Sequence, residues 1–429
     1  MSWLKDDKKL IWHPYTSLVT EQIPLAIKKA KGVYLHTEDG RKIIDGVSSW
    51  WVNILGHANP IIAKAIGKQA KTLEHTIFAG FTHKPAVDLA KNLKKHIIPK
   101  SHSKVFFSDN GSTAVEVGIK MGLQYWFNKE RKKTKIIAIE GSYHGDTFGT
   151  MSVSSPSVFN KPFQEKLYDV AFIPFPEKGK KKKTIDAFKK LISKGDVALF
   201  IFEPLVQGTA GMRMYSPEVL DSLMTIAKEN EVLCLADEVM TGFGRTGKLL
   251  ATDHTSNAPD IISLSKGITG GFMPLGITTC SQEIENAFQD KNIHKTFYHG
   301  HSYTGNPLAC AASNASINLL VSKKVTEKIN WLTKQQEQFK KKVKNHPSLL
   351  NARVTGTIFA VEIKTKQDSS YFSSVRDRLY AFFLEKNILL RPLGNIIYIM
   401  PPYTITKKEL HKIYDAFLEL LYELECNKF

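Results

Sequence analysis

Short apolar runs alternate with amphipathic stretches through the middle of this 429-residue chain. Six apolar runs predict buried β-strands, at residues 104–111, 135–141, 197–205, 232–239, 260–266 and 275–281. Apolar positions at helical spacing predict helices at 113–130 and 216–231. Strands that alternate with helices usually form a mostly parallel sheet with helices on both faces. We therefore predict an α/β fold for the central part of the chain.

The C-terminal part shows a different pattern. A lysine-rich helix is predicted over about 323–345, followed by one strand over 353–363, a further helix and a hairpin over 388–403. The last helix presents one apolar face, formed by Leu410, Ile413, Tyr414, Phe417, Leu421 and Leu424. These elements favour an α+β unit that is separate from the central sheet.

The N-terminal part also contains a sequence that is typical of a β-hairpin. Residues 32–46 alternate around a Glu-Asp-Gly turn, which is typical of two antiparallel strands. We predict that residues 1–60 and 321–429 together form a smaller domain. Residues 61–320 would then form the large domain.

The net charge of +18 leaves two interpretations open. The densest run, KGKKKK at 178–183, is either a solvated loop or a site for a polyanion. No aromatic residues, finger spacing or RNA-binding motif accompany it, which favours the solvated loop and no nucleic-acid partner.

Targeting and metal signals are weak in this sequence. The N-terminus has no apolar signal region, and no apolar run approaches the roughly 18 residues of a membrane span. The four cysteines are far apart, without CxxC or HExxH spacing. We expect a cytoplasmic protein with reduced thiols, no membrane partner and no metal.

Lys266 ends an apolar strand and precedes the glycine-rich turn GITGG. Burying an unpaired ammonium is costly, so the lysine either extends its ammonium to solvent or has a chemical role. A nucleophilic amine that forms a Schiff base is the chemical alternative. Asp237 ends a neighbouring apolar strand, where it either caps a helix or binds the pyridine nitrogen of pyridoxal phosphate (PLP).

The other candidates also follow predicted strands. Gly111 and Ser112 lie between a strand and a helix, where backbone N–H groups bind anions such as phosphate, although an ordinary helix cap has the same appearance. Tyr143 could stack on a flat cofactor ring and Val239 could cover its other face, or both could be ordinary packing residues. Each signal is weak alone, and their order along the chain makes them specific together.

In this order the motifs resemble those of the class III, fold-type I PLP-dependent aminotransferases. The resemblance extends over almost the whole chain and is carried by GSTAVEVGIKMGLQYW, GSYHGDTFG, IFEPLVQG, ADEVMTGFGRTG, SLSKGITGGFMPLG and HGHSYTGNPLACAA. It implies that Lys266 carries PLP as a Schiff base and that Asp237 faces the pyridine nitrogen. It also implies that Gly111 and Ser112 hold the phosphate, and that Tyr143 and Val239 flank the ring.

The same resemblance implies a homodimer. In that family the HGHSYTGN segment reaches across the dimer interface, so Ser302 and His301 would complete the partner's phosphate site, and Gly300 would contact substrate. His301 is a departure, because some relatives carry proline or serine there. This departure puts the identity of the amino donor in doubt.

Within the family, the chain is most similar to the members that act in biotin synthesis. This similarity implies transamination of 8-amino-7-oxononanoate to 7,8-diaminononanoate, with S-adenosylmethionine as donor. It is carried by IWHPYTS with Tyr15, SSWWVNILGHANP with Trp50 and Trp51, and LLRPLGNIIYIMPPY with Arg391. Arg391 offers a bidentate fork for a carboxylate, and the tryptophans suit an alkyl chain. Arg245 is a further candidate for acidic substrates.

Four alternatives stay open at this point. The donor could be lysine, since the same catalytic residues would serve it. The enzyme could be another class III aminotransferase that acts on an ω-amino acid or a diamine. From other classes, a basic nucleic-acid-binding protein and a PLP-binding scaffold without turnover remain.

Overall fold

The computed structural model describes residues 2–19, 24–365 and 374–426. Its helices are α1 Ser2–Leu10, α2 Pro60–Ala70, α3 Lys84–His96, α4 Gly111–Asn128, α5 Phe148–Val153, α6 Lys181–Ile192, α7 Pro217–Glu229, α8 Gln282–Phe288, α9 Pro307–Leu320, α10 Lys323–Val343, α11 Ser374–Glu385 and α12 Lys407–Glu425. Its strands are β1 Ile27–Lys31, β2 Tyr34–Thr37, β3 Lys42–Asp45, β4 His102–Ser108, β5 Lys135–Ile139, β6 Ala171–Ile173, β7 Val197–Phe202, β8 Val206–Gln207, β9 Arg213–Met214, β10 Leu233–Asp237, β11 Ile261–Leu264, β12 Gly276–Ser281, β13 Leu349–Thr355, β14 Ile358–Ile363, β15 Ile388–Leu389 and β16 Ile396–Ile399.

A seven-stranded sheet forms the centre of the molecule, in the order β4-β12-β11-β10-β7-β5-β6. Only β12 runs antiparallel to its neighbours. All six predicted central strands are present, and the expectation of a mostly parallel sheet is confirmed. Strand β7 is buried at every position, as its continuous apolar sequence requires. The edge strand β6 has only three residues and was not predicted.

Helix α4 packs closely on this sheet, and its first residues are the predicted phosphate-binding residues Gly111 and Ser112. Its N-cap Asn110 accepts the backbone N–H of Thr113 at 2.9 Å, while Thr113 caps Asn110 in return. A methyl group on Gly118 would lie 2.8 Å from the side chain of Leu235 in β10. Glycine at this position therefore allows the helix to approach the sheet.

Two smaller sheets contain strands from the chain ends. The first has the order β1-β2-β3-β15, so a strand from the C-terminal part pairs with the N-terminal hairpin. The second has the order β13-β14-β16. The predicted hairpin at 32–46 is confirmed as β2 and β3. The domain boundaries after residues 60 and 320 stay a prediction.

Two predicted C-terminal elements are wrong. Residues 353–363 form parts of two antiparallel strands, β13 and β14, because Gly356 turns the chain with a φ of +57°. Residues 388–403 do not form the predicted two-stranded hairpin, because their antiparallel pairing is limited to an isolated bridge between Leu393 and Ile396. Strand β15 pairs with β3, whereas β16 pairs with β14 in another sheet.

The predicted last helix is confirmed as α12. Its face of Leu410, Ile413, Tyr414, Phe417 and Leu421 is buried. Within the described ranges, none of the helices has the length and apolar character needed to cross a lipid bilayer.

Candidate active site

The carboxyl ends of the central parallel strands open into a cavity of about 520 Å³. This is the edge at which ligands of open α/β sheets bind. Seven of the predicted site residues line it, namely Trp51, Gly111, Ser112, Tyr143, Asp237, Val239 and Lys266. The fold therefore brings together residues that are more than 200 positions apart in the chain.

Lys266 follows strand β11 with a left-handed backbone, at a φ of +46°. Its Nζ atom lies 5.2 Å from the ring centroid of Trp51. Among the described residues, no hydrogen-bond or ion-pair partner of this ammonium is found. Burial lowers the pKa of Lys266, and the negative charges of Asp237 and Glu203 oppose this shift only in part. The neutral, nucleophilic amine is therefore more accessible than in an ordinary lysine.

Asp237 is held in a fixed orientation at the end of β10. Its Oδ1 accepts the backbone N–H of Val239 at 3.1 Å, and its Oδ2 lies 2.7 Å from His144 Nδ1. The His144 side chain is fully buried, and its Nε2 has no hydrogen-bond partner in the described part of the chain. The sequence patterns did not indicate a role for His144, although they did for the adjacent Tyr143 in the same motif.

Glu203 is a second cavity residue without a predicted role. It follows strand β7 and accepts the backbone N–H groups of Tyr143 at 3.0 Å and Gly208 at 2.9 Å. Burial raises the pKa of Glu203, His144 opposes the shift and the charge of Asp237 adds to it, so that the pKa is raised to about 7. In the sequence, a role for Glu203 was indicated by its position near the end of an apolar run that predicts a buried strand.

The N-terminus of α4 forms a cradle beside these carboxylates. A methyl group on Gly111 would lie 2.7 Å from the Val239 side chain, and one on Gly145 would lie 2.2 Å from Ser112 Oγ. The free backbone N–H groups of the first helical turn provide donors for an anion. These residues fit PLP, because the cavity combines an anion cradle, a carboxylate, an unpaired lysine and two side chains able to cover the ring.

A left-handed turn at Ser48–Trp51 carries the paired tryptophans. Four consecutive residues have positive φ angles of 52°, 44°, 65° and 77°. Each such residue costs roughly 1–2 kcal/mol relative to ordinary backbone. The turn directs Trp51 into the cavity and Trp50 towards Arg391, whose guanidinium lies 4.6 Å from the Trp50 ring centroid.

Trp50 and Arg391 line a second cavity of about 670 Å³. The Tyr15 ring packs edge-on against Trp50 at 5.4 Å, and its hydroxyl donates to Asp146 and lies 3.4 Å from the Tyr143 hydroxyl. Tyr15 therefore connects the second cavity with the first. Of the predicted substrate residues, Tyr15 and Arg391 both contact Trp50, whereas Trp51 lines the main cavity.

Arg245 occupies a different position from the one its predicted role requires. It is 1% exposed and does not line the main cavity. Its guanidinium donates to the backbone carbonyls of Trp51 at 3.0 Å and Pro401 at 3.2 Å. This geometry assigns Arg245 to supporting the tryptophan turn and gives no support to a direct substrate contact.

The segment with Gly300, His301 and Ser302 does not line the main cavity of its own chain. His301 N–H donates to Thr304 at 3.0 Å, which closes a local turn. The predicted roles of these three residues require a partner subunit and stay predictions. Among the described residues, no group of three or more His, Cys, Asp or Glu side chains is arranged to hold a metal.

Glu238, next to Asp237, leads to a prediction about stability. It is fully buried and accepts bonds from Thr241 and from the backbone N–H groups of Ala251 and Thr252. Burial raises its pKa to about 7, from an ordinary value of 4.5. Between these values the folded protein holds a proton that the unfolded chain has released, so stability falls as pH rises through this window.

We expect Glu238→Gln to remove part of this fall, by up to about 1.4 kcal/mol per pH unit. Urea unfolding between pH 5 and pH 8 measures it, with the exposed Glu229→Gln as control. Identical pH slopes for the wild type and Glu238→Gln would contradict the prediction.

Comparison with known proteins agrees with this geometry. The family model described as aminotransferase class III matches residues 15–421. The chain is 46% identical over 422 residues to the adenosylmethionine-8-amino-7-oxononanoate aminotransferase of Synechococcus elongatus, with 96% of this chain and 99% of that protein covered.

Two solved structures show the same fold. The adenosylmethionine-8-amino-7-oxononanoate aminotransferase of Methanocaldococcus jannaschii superposes with a TM-score of 0.93 at 36% identity, covering 98% of this chain and 99% of that one. A PLP-bound amine transaminase from an uncultivated Pseudomonas species superposes with a TM-score of 0.89 at 28% identity, covering 95% and 97%. The chain therefore belongs to the class III aminotransferases and is a PLP-dependent transaminase.

Proposed function

We propose that this enzyme transaminates 8-amino-7-oxononanoate to 7,8-diaminononanoate in biotin synthesis, with S-adenosylmethionine as amino donor. The relatives in Synechococcus elongatus and Methanocaldococcus jannaschii carry the name of this reaction. The observation that carries the proposal is a series of contacts between the two cavities. Tyr15 contacts Tyr143 of the cavity that holds Lys266 and Asp237, and it packs on Trp50, which lies beside Arg391 in the second cavity.

Different residues of the main cavity would bind different parts of the cofactor. Backbone N–H groups at Gly111 and Ser112 bind the phosphate, and Tyr143 and Val239 restrict the ring between them. Asp237 keeps a proton on the pyridine nitrogen through its negative charge. PLP, when bound, supplies a conjugated electron sink for the pair released when a C–H bond breaks.

Lys266 performs the proton transfers. Its lowered pKa would let a neutral Nζ accept a proton from the substrate carbon and later donate a proton as an acid. Trp51 and the apolar residues of the segment 271–275 line the cavity beside Nζ and exclude water. The arrangement favours proton return by Lys266 over exchange with solvent.

The acceptor carboxylate binds Arg391, and its alkyl chain lies against Trp50 and Trp51. A guanidinium offers two parallel N–H donors to a carboxylate, and that of Arg391 lies over the Trp50 ring at 4.6 Å from its centroid. The hydroxyl of Tyr15 lies at the junction of both cavities.

Arg391→Ala is expected to raise the KM for 8-amino-7-oxononanoate about 100-fold, because a charged hydrogen-bonded contact is lost. The donor half-reaction should change much less. Steady-state kinetics with varied acceptor measure the effect, with Arg131→Ala as control, since Arg131 pairs with Glu231 on the surface. An unchanged acceptor KM would remove Arg391 from the substrate site.

We also propose that the enzyme works as a cytoplasmic homodimer. Gly300, His301 and Ser302 lie outside the cavity of their own chain, which supports a role in a partner's site. Sedimentation of the holoenzyme checks the mass. A monomer with full activity would contradict this part of the proposal.

The function is tested by incubating the purified holoenzyme with 8-amino-7-oxononanoate and one donor at a time. S-adenosylmethionine and lysine are compared, and diaminononanoate is measured by mass spectrometry. We expect product with S-adenosylmethionine. Product with lysine alone would replace the donor, and no product with any donor, together with activity on ω-amino acids or diamines, would overturn the substrate assignment.

A further inference from the structure

The left-handed turn at Ser48–Trp51 needs a specific source of stabilisation. None of its four residues is glycine, so the chain would leave this conformation unless other contacts held it. Asp45 lies directly before the turn and is fully buried. Its carboxylate accepts the backbone N–H groups of Val47 at 3.2 Å and Ser49 at 2.9 Å, and the Ser49 hydroxyl at 2.8 Å.

His57 provides the fourth contact of this carboxylate. Its Nε2 lies 2.8 Å from Asp45 Oδ2, and its Nδ1 lies 3.0 Å from the side-chain nitrogen of Asn53. Because the Asn53 nitrogen is a donor, Nδ1 accepts and Nε2 carries the hydrogen that is donated to Asp45. Asp45 therefore has both oxygens bound, and its orientation is fixed.

The other contacts of the turn hold its far end. Ser48 Oγ donates to the Met400 carbonyl at 2.8 Å, and the Trp51 indole N–H donates to the Tyr398 hydroxyl at 3.1 Å. These two contacts involve side chains of the turn, whereas Asp45 and Arg245 bind its backbone, Asp45 at the Ser49 N–H and Arg245 at the Trp51 carbonyl. Asp45 therefore holds the first half of the left-handed turn.

We propose that Asp45 and His57 are positioning residues that set the two tryptophans of the substrate site. The carboxylate holds the turn, and the turn holds Trp51 beside Lys266 and Trp50 against Arg391. Neither residue lines the main cavity or the second cavity. This inference rests on the proposed function, because it assigns these tryptophans to the substrate wall.

The first test reads the tryptophans directly. The chain has six tryptophans, so 5-fluorotryptophan labelling gives six fluorine resonances, which single Trp→Phe variants assign. Asp45→Asn removes the charge and places an amide N–H against two donors. We expect it to shift the resonances of Trp50 and Trp51 and to leave those of Trp126 and Trp331 in place. Asp39→Asn, an exposed carboxylate in the preceding hairpin, is the matched control and should move none.

The second test separates positioning from folding. In the holoenzyme, Asp45→Asn should raise the acceptor KM about 10- to 100-fold, as expected for lost hydrogen bonds to a charged group, while kcat stays within about threefold. His57→Gln keeps an N–H donor and should give a smaller rise. If Asp45→Asn fails to fold, the fluorine spectra and the acceptor kinetics are measured on Ser49→Ala and His57→Gln instead.

The outcomes distinguish the two proposals. A fall in kcat at constant KM, or unshifted Trp50 and Trp51 resonances in a folded variant, would overturn the positioning role. A wild-type enzyme without activity on 8-amino-7-oxononanoate would overturn the proposed function instead. In that case the fluorine spectra still decide whether Asp45 sets the tryptophans.

Discussion

Replacing Lys266 with alanine is expected to lower kcat about 10⁴-fold and to abolish covalent labelling of the protein when it is treated with PLP and borohydride. Lys266 is the lysine whose amine lines the cavity, and burial lowers its pKa. Loss of a positioned acid–base group alone reduces rates by about 10²–10⁴, and this variant also loses its nucleophile. Single-turnover kinetics and mass spectrometry of borohydride-treated protein measure the two effects.

The control is Lys129→Ala, which removes an exposed lysine at the end of α4. It should retain full activity and labelling. Addition of small primary amines should restore part of the activity of the Lys266 variant, because the anion cradle and Asp237 stay in place. A labelled peptide that lacks residue 266 in the wild-type enzyme would contradict the assignment.

Asp237→Asn is expected to lower kcat about 10³-fold. The change keeps the size of the side chain and removes the negative charge that stabilises a protonated pyridine nitrogen. Preorganised electrostatic contacts of this kind contribute about 10²–10³ in rate. The expected loss is at the upper end because Val239 N–H and His144 fix the carboxylate in place. Steady-state kinetics and the visible spectrum of the bound cofactor measure it.

Glu238→Gln is the matched control for this variant. Glu238 is the next residue, is equally buried, and points away from the cavity. It should change kcat by no more than a few-fold. Equal losses in the two variants would mean that burial of a charge in this region, and not its position at the cofactor, determines activity.

Much of the site could be predicted because strand ends are visible in sequence. Lys266, Asp237 and Gly111 each follow an apolar run, and the carboxyl ends of parallel strands meet at one edge. His144 could not be identified in this way. Its importance depends on a contact with Asp237, 93 residues later, that no local pattern records.

The errors have a related cause. The pairing of β15 with β3, and of β16 with β14, is decided by contacts between distant segments, so residues 388–403 looked like one hairpin. Arg245 lies in a motif beside Asp237, but its side chain binds the backbone carbonyls of Trp51 and Pro401 and does not line the cavity. Local sequence predicted which residues cluster and not which way each side chain extends.

The pairing of β15 with β3 also joins segments that are synthesised far apart in time. Asp45 and the tryptophan turn leave the ribosome about 340 residues or more before Leu389, Tyr398 and Met400, which later pair with β3 or bond to the turn. At about 5–20 residues per second, this wait lasts tens of seconds. Through that interval β3 is paired with β2 but lacks β15, so one of its edges stays open to pairing with other strands until the C-terminal part is made.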